Sequence, residues 1–485
     1  MNQVYFGSGA YGVQSAAEIF FGKSVQDLSL AECALIAGLP KSPSHYSPLV
    51  NKDLARQRRD TVLNQMFTMG IISDVEYHQA IAEEIQLKDR NKNLNQAPYF
   101  VEYVQKKLEE ILGAANLYKG GLSIYTTLDF KLQQAAQEAV KDGLTELEKR
   151  MDQNNIQSAD PQAALICLDV KSGGILSMVG GKNYYESRFN RAASARRQPG
   201  SAFKPIIYAY AIEQGFAQNQ LILDAPVVFK GADQGRDWHP ENYSQKYLGE
   251  ITLRKALAIS QNIPTVRLIE MLGPLSVAQF AHRLGIESNL APDLSLALGT
   301  SEVSLINLTG AYAVFPREGK YIEPFGVMAV VDHRQRTVWS AKPPKRLVMS
   351  REGAAIITNM LEGVVLEGTG RRAMTLKAAV AGKTGTTNNY KDALFVGFSP
   401  AVATGVWVGR DSDDTLGDNE TGAKAALPIW IKFMRAALTP GSPQQFDRPD
   451  NVSKVMMDPQ TGLPAGHDSK DAVLALFRKG TEPKR

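Results

Sequence analysis

Cysteine is nearly absent: the chain has two among 485 residues, Cys33 and Cys167, in apolar stretches of different regions. They read as buried thiols rather than a disulfide, so cysteine usage leaves the compartment open. The six histidines show no metal-ligand spacing, so no metal is expected, and His239 between Trp238 and Pro240 reads as a loop residue. No apolar run approaches the ~20 residues that span a bilayer, and no signal peptide precedes the first helical pattern. Taken literally, the sequence carries neither anchor nor export signal. Charge of one sign is also lacking. Fifty-four basic against 50 acidic residues leave +4, which permits contact with anionic surfaces but does not argue for nucleic acid. Internal repeats and low-complexity segments are missing. What remains, 44% hydrophobic and 21% charged, is an ordinary globular composition with room for two or three domains.

Residues 1–90 read as helical. Leu28–Leu39 is apolar nearly all round apart from Glu32, as expected of a helix enclosed by a larger domain. Without that enclosure it should expose an apolar patch larger than the ~300–600 Å² usual on a monomer. Asp53–Met69 is a second helix, with Leu54, Val62, Leu63 and Met66 inward and Arg56, Arg58 and Arg59 on a solvated face. From 91 to 158 the pattern changes: Leu122–Leu128 alternates as a strand, and Asp129 then caps a long helix to about Lys149. Residues 159–440 read as one α/β unit, with a hairpin of Ala163–Asp169 and Ile175–Val179 about a turn at Lys171-Ser172-Gly173. A mostly helical block from Ser201 to about Phe315 follows. Strand signals return at Phe325–Asp332, Ala378–Gly385, Ala393–Phe398 and Ala403–Val408. Strands, then helices, then strands predict an α+β fold whose antiparallel sheet is closed by both ends of the domain. Residues 441–485, punctuated by Pro and Gly, look like a small β-rich tail.

The stretch Arg197-Gln198-Pro199-Gly200-Ser201-Ala202-Phe203-Lys204-Pro205 organises the rest. Pro199-Gly200 breaks what precedes it, and a helix then runs toward Gly215, with Pro205 in its first turn. Ser201 therefore stands at a helix N-terminus, where unpaired N–H groups favour developing negative charge, with Lys204 one turn on. A lysine in that position serves as base if burial or a neighbouring cation lowers its pKa. Alone, the pattern would be an N-cap serine and a surface lysine. Two further elements weigh against that. Ser260-Gln261-Asn262 lies between amphipathic stretches, and Lys383-Thr384-Gly385-Thr386-Thr387 follows an apolar one. Ser-x-x-Lys and Ser-x-Asn occur once each, and the order Ser-x-x-Lys, Ser-x-Asn, Lys-Thr-Gly is that of penicillin-recognising serine enzymes. Gly382-Lys383-Thr384 also looks like the end of a phosphate-binding loop, but Lys377 stands where that loop needs glycine, so no nucleotide site follows and no cofactor is implied. Asp411, Asp413 and Asp414 lack the glutamate of a calcium loop and read as a solvated turn.

Together these stretches resemble the class A penicillin-binding proteins, bifunctional peptidoglycan synthases. Leu298-Gly299-Thr300-Ser301-Glu302, Val406-Trp407-Val408-Gly409 and Glu420–Trp430 carry the same resemblance, which runs from Asn2 to about Pro483. Leu394 departs from it, standing where the family usually has an aromatic. Tyr5–Gly12 and Ala34–Pro40 look like the last motifs of the family's lysozyme-like glycosyltransferase domain. Glu18 and Glu32 match none of that domain's catalytic motifs, so residues 1–90 are an all-α remnant expected not to polymerise glycan. The resemblance implies a penicillin-binding transpeptidase (β-lactamase-like) domain at 159–440, with 91–158 as connecting segment.

It also implies the roles. Ser201 is the nucleophile on the carbonyl between two D-alanines of a stem peptide, Lys204 its base, and Ser260 the proton shuttle to the leaving amine. Asn262 holds a substrate amide. Lys383, Thr384, Thr386 and Thr387 bind the terminal carboxylate, and Gly385 lets substrate approach the backbone. The N–H groups of Ser201 and Thr386 form an oxyanion hole, where one donor is worth about 2.7–4 kcal/mol. Implied partners are stem peptides, β-lactams and a wall-synthesis complex, on the extracytoplasmic face of the bacterial membrane, to which the full-length family is anchored. The alternatives are a D,D-carboxypeptidase or β-lactamase-type hydrolase, and a non-catalytic β-lactam sensor or scaffold. Glu302-Val303-Ser304-Leu305-Ile306-Asn307 is one residue too long for a β-lactamase's deacylating loop, and the chain lacks a sensor's membrane-signalling segment.

Overall fold

The computed structural model describes the chain except residues 1–3, 9, 88–95, 120, 157–159, 234–235, 439–440, 442–444, 467–470 and 485. Gly9 of the Tyr5–Gly12 motif and the border expected near residue 91 lie outside the described residues. The chain divides into two compact units, Met1–Gln96 and Ala97–Arg485.

The first unit holds α1 (Val13–Phe20), α2 (Leu30–Gly38), α3 (Lys52–Thr68) and α4 (Asp74–Ala82). Local chemistry sets their starts. Ser29 with Glu32 and Ser73 with Glu76 form reciprocal capping boxes, and the Asn51 side chain accepts from Leu54 N. One side of α2 packs Leu35 and Ile36 against Phe20 and Ala55. The other packs Ala31 and Ala34 against Leu63, Ile72 and Ala80. The expected apolar patch is therefore not there: of Leu30–Gly38, only Cys33 and Ala37 are exposed. Cys33 is thus not the buried thiol expected, whereas Cys167 is fully buried. Arg59 also departs from the sequence reading. It is 0% exposed, because its guanidinium donates to Ile81 O at 3.0 Å and Glu83 O at 2.6 Å, the carbonyls that close α4.

The second unit begins with α5 (Pro98–Leu112), β1 (Ser123–Thr126) and α6 (Phe130–Gln153), the last capped by Asp129 as predicted. The hairpin β2 (Gln162–Asp169) and β3 (Ile175–Val179) follows, its turn held by Ser172 N donating to Asp169 Oδ1 at 2.6 Å. Next come α7 (Lys204–Glu213), β4 (Leu221–Asp224), β5 (Gly249–Thr252), α8 (Leu253–Ala258), α9 (Asn262–Leu272) and α10 (Leu305–Ala313). After β6 (Val327–Val331), β7 (Thr337–Ser340) and α11 (Arg351–Leu366), the chain returns through β8 (Ala381–Thr386), β9 (Asp392–Phe398) and β10 (Val402–Gly409). It ends with α12 (Leu427–Ala437) and the hairpin β11 (Val452–Met457) and β12 (Val473–Arg478).

The five-stranded antiparallel sheet has the order β8-β9-β10-β2-β3, so both ends of the domain close it and β8 is an edge. Alternation along β2 decides the layers: Leu165 and Cys167 face α6 and α12, while Ile166 and Leu168 face the helical block. This is the α+β arrangement predicted. Three details differ. The paired β4 and β5 interrupt the helical block, and β6 leaves the main sheet to pair with β1 and β7. The C-terminal hairpin is fastened to the core, since Gln218 Nε2 donates to Leu476 O at 2.7 Å and Leu476 is buried.

Candidate active site

Ser201 sits half-buried in a 3₁₀ turn, Gly200–Phe203, that runs straight into α7, and Lys204 N donates back to Ser201 O. The turn is pressed against β8. Gly200 has φ 53°, and a Cβ there would lie 2.6 Å from Thr386 O. Gly200 N in turn donates to Gly299 O at 3.3 Å. Gly385 serves the same contact: a Cβ on it would run into Pro199 O and lie 3.0 Å from Ala202 Cβ. Its missing side chain lets the Ser201 turn lie on the strand. Leu394, 3% exposed, fills the space beneath.

Lys204 is fully buried, and its Nζ reaches three acceptors: Ser260 O at 2.8 Å, Gln261 O at 2.9 Å and Asn262 Oδ1 at 2.8 Å. Burial, and next the charge of Lys383, push its pKa well below the ordinary value, while the three acceptors favour the proton.

Ser260 occupies the corner between α8 and α9 with φ 65°, unusual for a residue with a side chain. Ser260 N donates to Leu257 O at 3.2 Å and Gln261 N to Ala256 O at 3.0 Å, the paired bonds of a Schellman ending whose left-handed position usually takes glycine. A serine there aims its carbonyl at Lys204 and its hydroxyl at Lys383, whose Nζ donates to Ser260 Oγ at 2.8 Å. Lys383 is fully buried, and burial lowers its pKa to about 7. Asn262 starts α9 beside them. Its Nδ2 donates to Glu241 O at 2.8 Å, and its backbone N–H donates to Asn242 Oδ1 at 2.9 Å.

Thr384 Oγ1 lies 2.7 Å from Thr369 Oγ1, while Thr386 Oγ1 accepts from Gly422 N at 3.0 Å. Thr387 departs from its expected role. Its hydroxyl is buried, donating to Asp392 Oδ2 at 3.3 Å and accepting from Asp392 N at 2.9 Å, so it braces the strand end. Asp392 also accepts from Trp407 Nε1 at 2.8 Å, with the Arg197 guanidinium 5.3 Å above the Trp407 ring. Asp411 and Asp413 are no plain solvated turn either. Asp411 pairs with the buried Arg191, and Asp413 with Lys391 at 2.8 Å and Arg197 at 3.3 Å. Among the described residues no cluster could hold a metal ion, and His239 is exposed in its loop.

The three motifs, scattered over nearly 200 positions, thus meet around two buried lysines. Comparison with known proteins decides what kind of site this is. The family model "Penicillin binding protein transpeptidase domain" matches residues 163–435, and "Transglycosylase" matches 1–67. Penicillin-binding protein 1A of Aquifex aeolicus is 36% identical, the alignment covering 100% of this chain and 76% of that protein. The chain belongs to the class A penicillin-binding proteins. Penicillin-binding protein 2D of Bacillus subtilis is 34% identical over 100% of this chain and 70% of its own length. The crystal structure of penicillin-binding protein 1A from Haemophilus influenzae superposes with a TM-score of 0.83 at 27% identity, covering 100% of this chain and 90% of that one. PonA1 of Mycobacterium tuberculosis, solved with penicillin V, gives 0.63 at 26% identity over 73% of this chain and 96% of its own.

Several site residues escape the motifs of such a protein. Asn242 and Asp224 are buried behind the Ser260 corner. Asn242 Nδ2 donates to Asp224 Oδ1 at 2.7 Å, and Gln261 Nε2 donates to Asp224 Oδ2 at 2.8 Å. Asn242 Oδ1 also accepts from Ile263 N at 3.1 Å, so a side chain from a distant loop caps α9. Thr369 is the other: its N–H donates to Ala258 O at 3.1 Å, tying Thr384 to α8. The only sequence signal was the turn composition around each of them.

Proposed function

We propose that this penicillin-binding protein is a D,D-transpeptidase that cross-links peptidoglycan stem peptides through an acyl-enzyme at Ser201. Lys204, when neutral, takes the Ser201 proton, and Oγ attacks the carbonyl between the two D-alanines. The N–H groups of Ser201 and Thr386 bind the oxyanion, and Ser260 passes a proton to the departing D-alanine amine. Lys383, with the Thr384 and Thr386 hydroxyls, holds the terminal carboxylate, and Asn262 a substrate amide. An amine on a neighbouring stem then takes the acyl group and frees Ser201. β-Lactams acylate the same serine and remain there. The reading rests on one observation above all: Lys204 and Lys383 are both fully buried and both contact Ser260, one at its carbonyl and the other at its hydroxyl.

A hydrolytic fate for the acyl-enzyme finds less support, because Glu302, the acid nearest a deacylating loop in sequence, is exposed. Glycan polymerisation is not expected of these 485 residues, since Glu32 is tied up in its capping box and an ion pair to Lys23 at 2.8 Å. By its family the protein works on the wall side of the bacterial membrane. None of the described helices is long and apolar enough to cross one. Fluorescent penicillin should label one site, mapped by mass spectrometry to Ser201, and Ser201→Ala should remove it. Labelling that survives the substitution overturns the assignment. Lipid-linked disaccharide offered to the same protein should remain unpolymerised.

A further inference from the structure

Gly385 is gripped from both faces of the sheet. Pro199 O and Ala202 press on it from the side of the helical block. Gly422 presses from the other side, where a Cβ would run into Gly385 O and Leu394 O and lie 3.1 Å from Gly385 N. Gly422 opens a π-helical turn, Gly422–Ala426, that leads straight into α12, so its N–H is one of the orphan donors at the start of a helix. That donor is used: it bonds to Thr386 Oγ1 at 3.0 Å. What keeps the turn in place lies two residues back. Glu420 is 0% exposed, and α6 reaches it with Arg150, whose Nε donates to Oε1 at 2.8 Å and Nη2 to Oε2 at 2.9 Å. Lys424, from the turn itself, adds a contact to Oε1 at 2.8 Å. Arg150 is steadied by donating from Nη1 to Glu146 O at 3.1 Å, one turn earlier in α6. Burial opposes the charge on Glu420, but the two cations outweigh it and hold its carboxyl below the ordinary range.

Stability alone is a weak account of this pair. The desolvation of a buried carboxylate largely offsets the attraction of its partners, and apolar residues of similar volume often stabilise a core as well. A bidentate arginine–carboxylate contact does fix direction, because two parallel hydrogen bonds hold both groups in one plane. The direction it fixes bears on Thr386. A hydroxyl has one hydrogen and two lone pairs. With Gly422 N on a lone pair, the Thr386 hydrogen is left for another acceptor, and among the described residues none takes it. The donor is also strengthened, since a hydroxyl that accepts from a helix N-terminus is polarised toward donating its own hydrogen. On the transferase reading above, on which this inference rests, the acceptor is the terminal carboxylate of the substrate. We propose that Arg150 and Glu420 are positioning residues: the buried pair holds Gly422 against Thr386, so that the Thr386 hydroxyl is presented as a donor to that carboxylate. Neither residue belongs to the three motifs, and each acts through the next, from α6 to Glu420, to Gly422, to the edge strand.

The full chain and its Arg150→Met, Arg150→Lys and Glu420→Gln variants test this, each with Thr386 intact and with Thr386→Val. The readout is the rate constant for acylation of Ser201 by benzylpenicillin and by its methyl ester, which lacks the carboxylate charge. Arg150→Met should slow acylation by benzylpenicillin about tenfold and by the ester less than twofold. Arg150→Lys, which keeps the charge and one hydrogen bond, should recover to within about threefold of the parent. In the Thr386→Val background none of the three should lose more. Equal slowing with acid and ester, a further loss on top of Thr386→Val, or no loss at all would overturn the latch. If Arg150→Met does not fold, Glu420→Gln, which keeps the side chain's shape, carries the same comparison with an expected loss of about three- to fivefold. A parent chain that penicillin does not label at Ser201 would overturn the acyl-enzyme reading and the latch with it. A labelled parent in which Thr386→Val is selective for the acid while the Arg150 variants are not overturns the latch alone.

Discussion

Lys383 Nζ donates to Ser260 Oγ across 2.8 Å, and the contact couples a sheet edge to a left-handed helix corner. Because the lysine supplies that hydrogen, the Ser260 O–H remains free to donate elsewhere. The arrangement also explains why an L-residue is kept in a glycine conformation. Only a side chain there can accept from Lys383, while the backbone carbonyl of the same residue accepts from Lys204.

Ser260→Gly should therefore separate stability from activity. Glycine relieves a left-handed conformation that costs an L-residue roughly 1–2 kcal/mol, partly offset by its freer unfolded chain. The melting temperature should hold or rise, while acylation by penicillin falls about 10²-fold as the proton path is lost. Thermal scanning with stopped-flow acylation checks both, and a variant that is less stable but equally fast would contradict the argument.

A second consequence is a pH slope. Burial lowers the Lys383 pKa to about 7, against an ordinary value of 10.5. Between those values the unfolded chain binds a proton that the folded protein does not, so stability rises with pH from about 7 to 10.5. The stabilisation is complete above the unfolded value and is lost as pH falls through about 7. Relative to Lys383→Met, the parent should gain about 1.4 kcal/mol per pH unit across that window. Denaturant titrations at half-unit steps would measure it, and parallel curves for the two proteins would rule it out.

Where sequence sufficed, the information was local. Asp129 caps its helix from within three residues, and the apolar run Ala163–Asp169 with Ile175–Val179 beyond a turn reads as the hairpin it is. The Ser201 turn was legible because Pro199-Gly200 and a helical stripe adjoin it. Where sequence failed, the deciding partner lay far off. Gly385 announces a close approach, but the partner is Pro199, nearly 190 positions earlier. The acids at 411–413 look solvated until Arg191 and Arg197 arrive from another segment. Arg59 sits on a helix face that its neighbours make polar, and only the end of α4 explains its burial.

Asn242 offers a test of how far support behind the site matters. Asn242→Ala removes the acceptor for Asn262 N and Ile263 N and a donor to the buried Asp224. Loss of the cap costs about 1–2 kcal/mol, and Asp224 Oδ1 loses its donor while Oδ2 keeps Gln261 Nε2 and Leu248 N, which adds about 1 kcal/mol. Acylation should slow at least tenfold as the Ser260–Asn262 corner loosens. Retention of the parent rate in a destabilised protein would show that the corner holds its geometry without this side chain.

Arg59 gives the contrasting case, a buried charge in the unit that the transpeptidase reading does not use. It is 0% exposed and donates to Asp60 Oδ1 at 2.8 Å as well as to the carbonyls of Ile81 and Glu83. Arg59→Met keeps most of the apolar volume but leaves both carbonyls at the end of α4 without their donor. Each stranded acceptor costs about 1–3 kcal/mol, enough to open α4 from α3 in a unit of this size. Arg58→Ala, one position earlier, loses a hydrogen bond to Gly38 O at 3.1 Å on a half-buried side chain and should cost about 1 kcal/mol. Limited proteolysis of Arg59→Met should therefore cut within residues 68–87 while the Arg58→Ala protein resists. Penicillin labelling at Ser201 should stay within twofold of the parent in both, because residues 97–485 carry their own core. Loss of labelling in Arg59→Met alone would mean that the first unit supports the second, and the independence of the two would have to be given up.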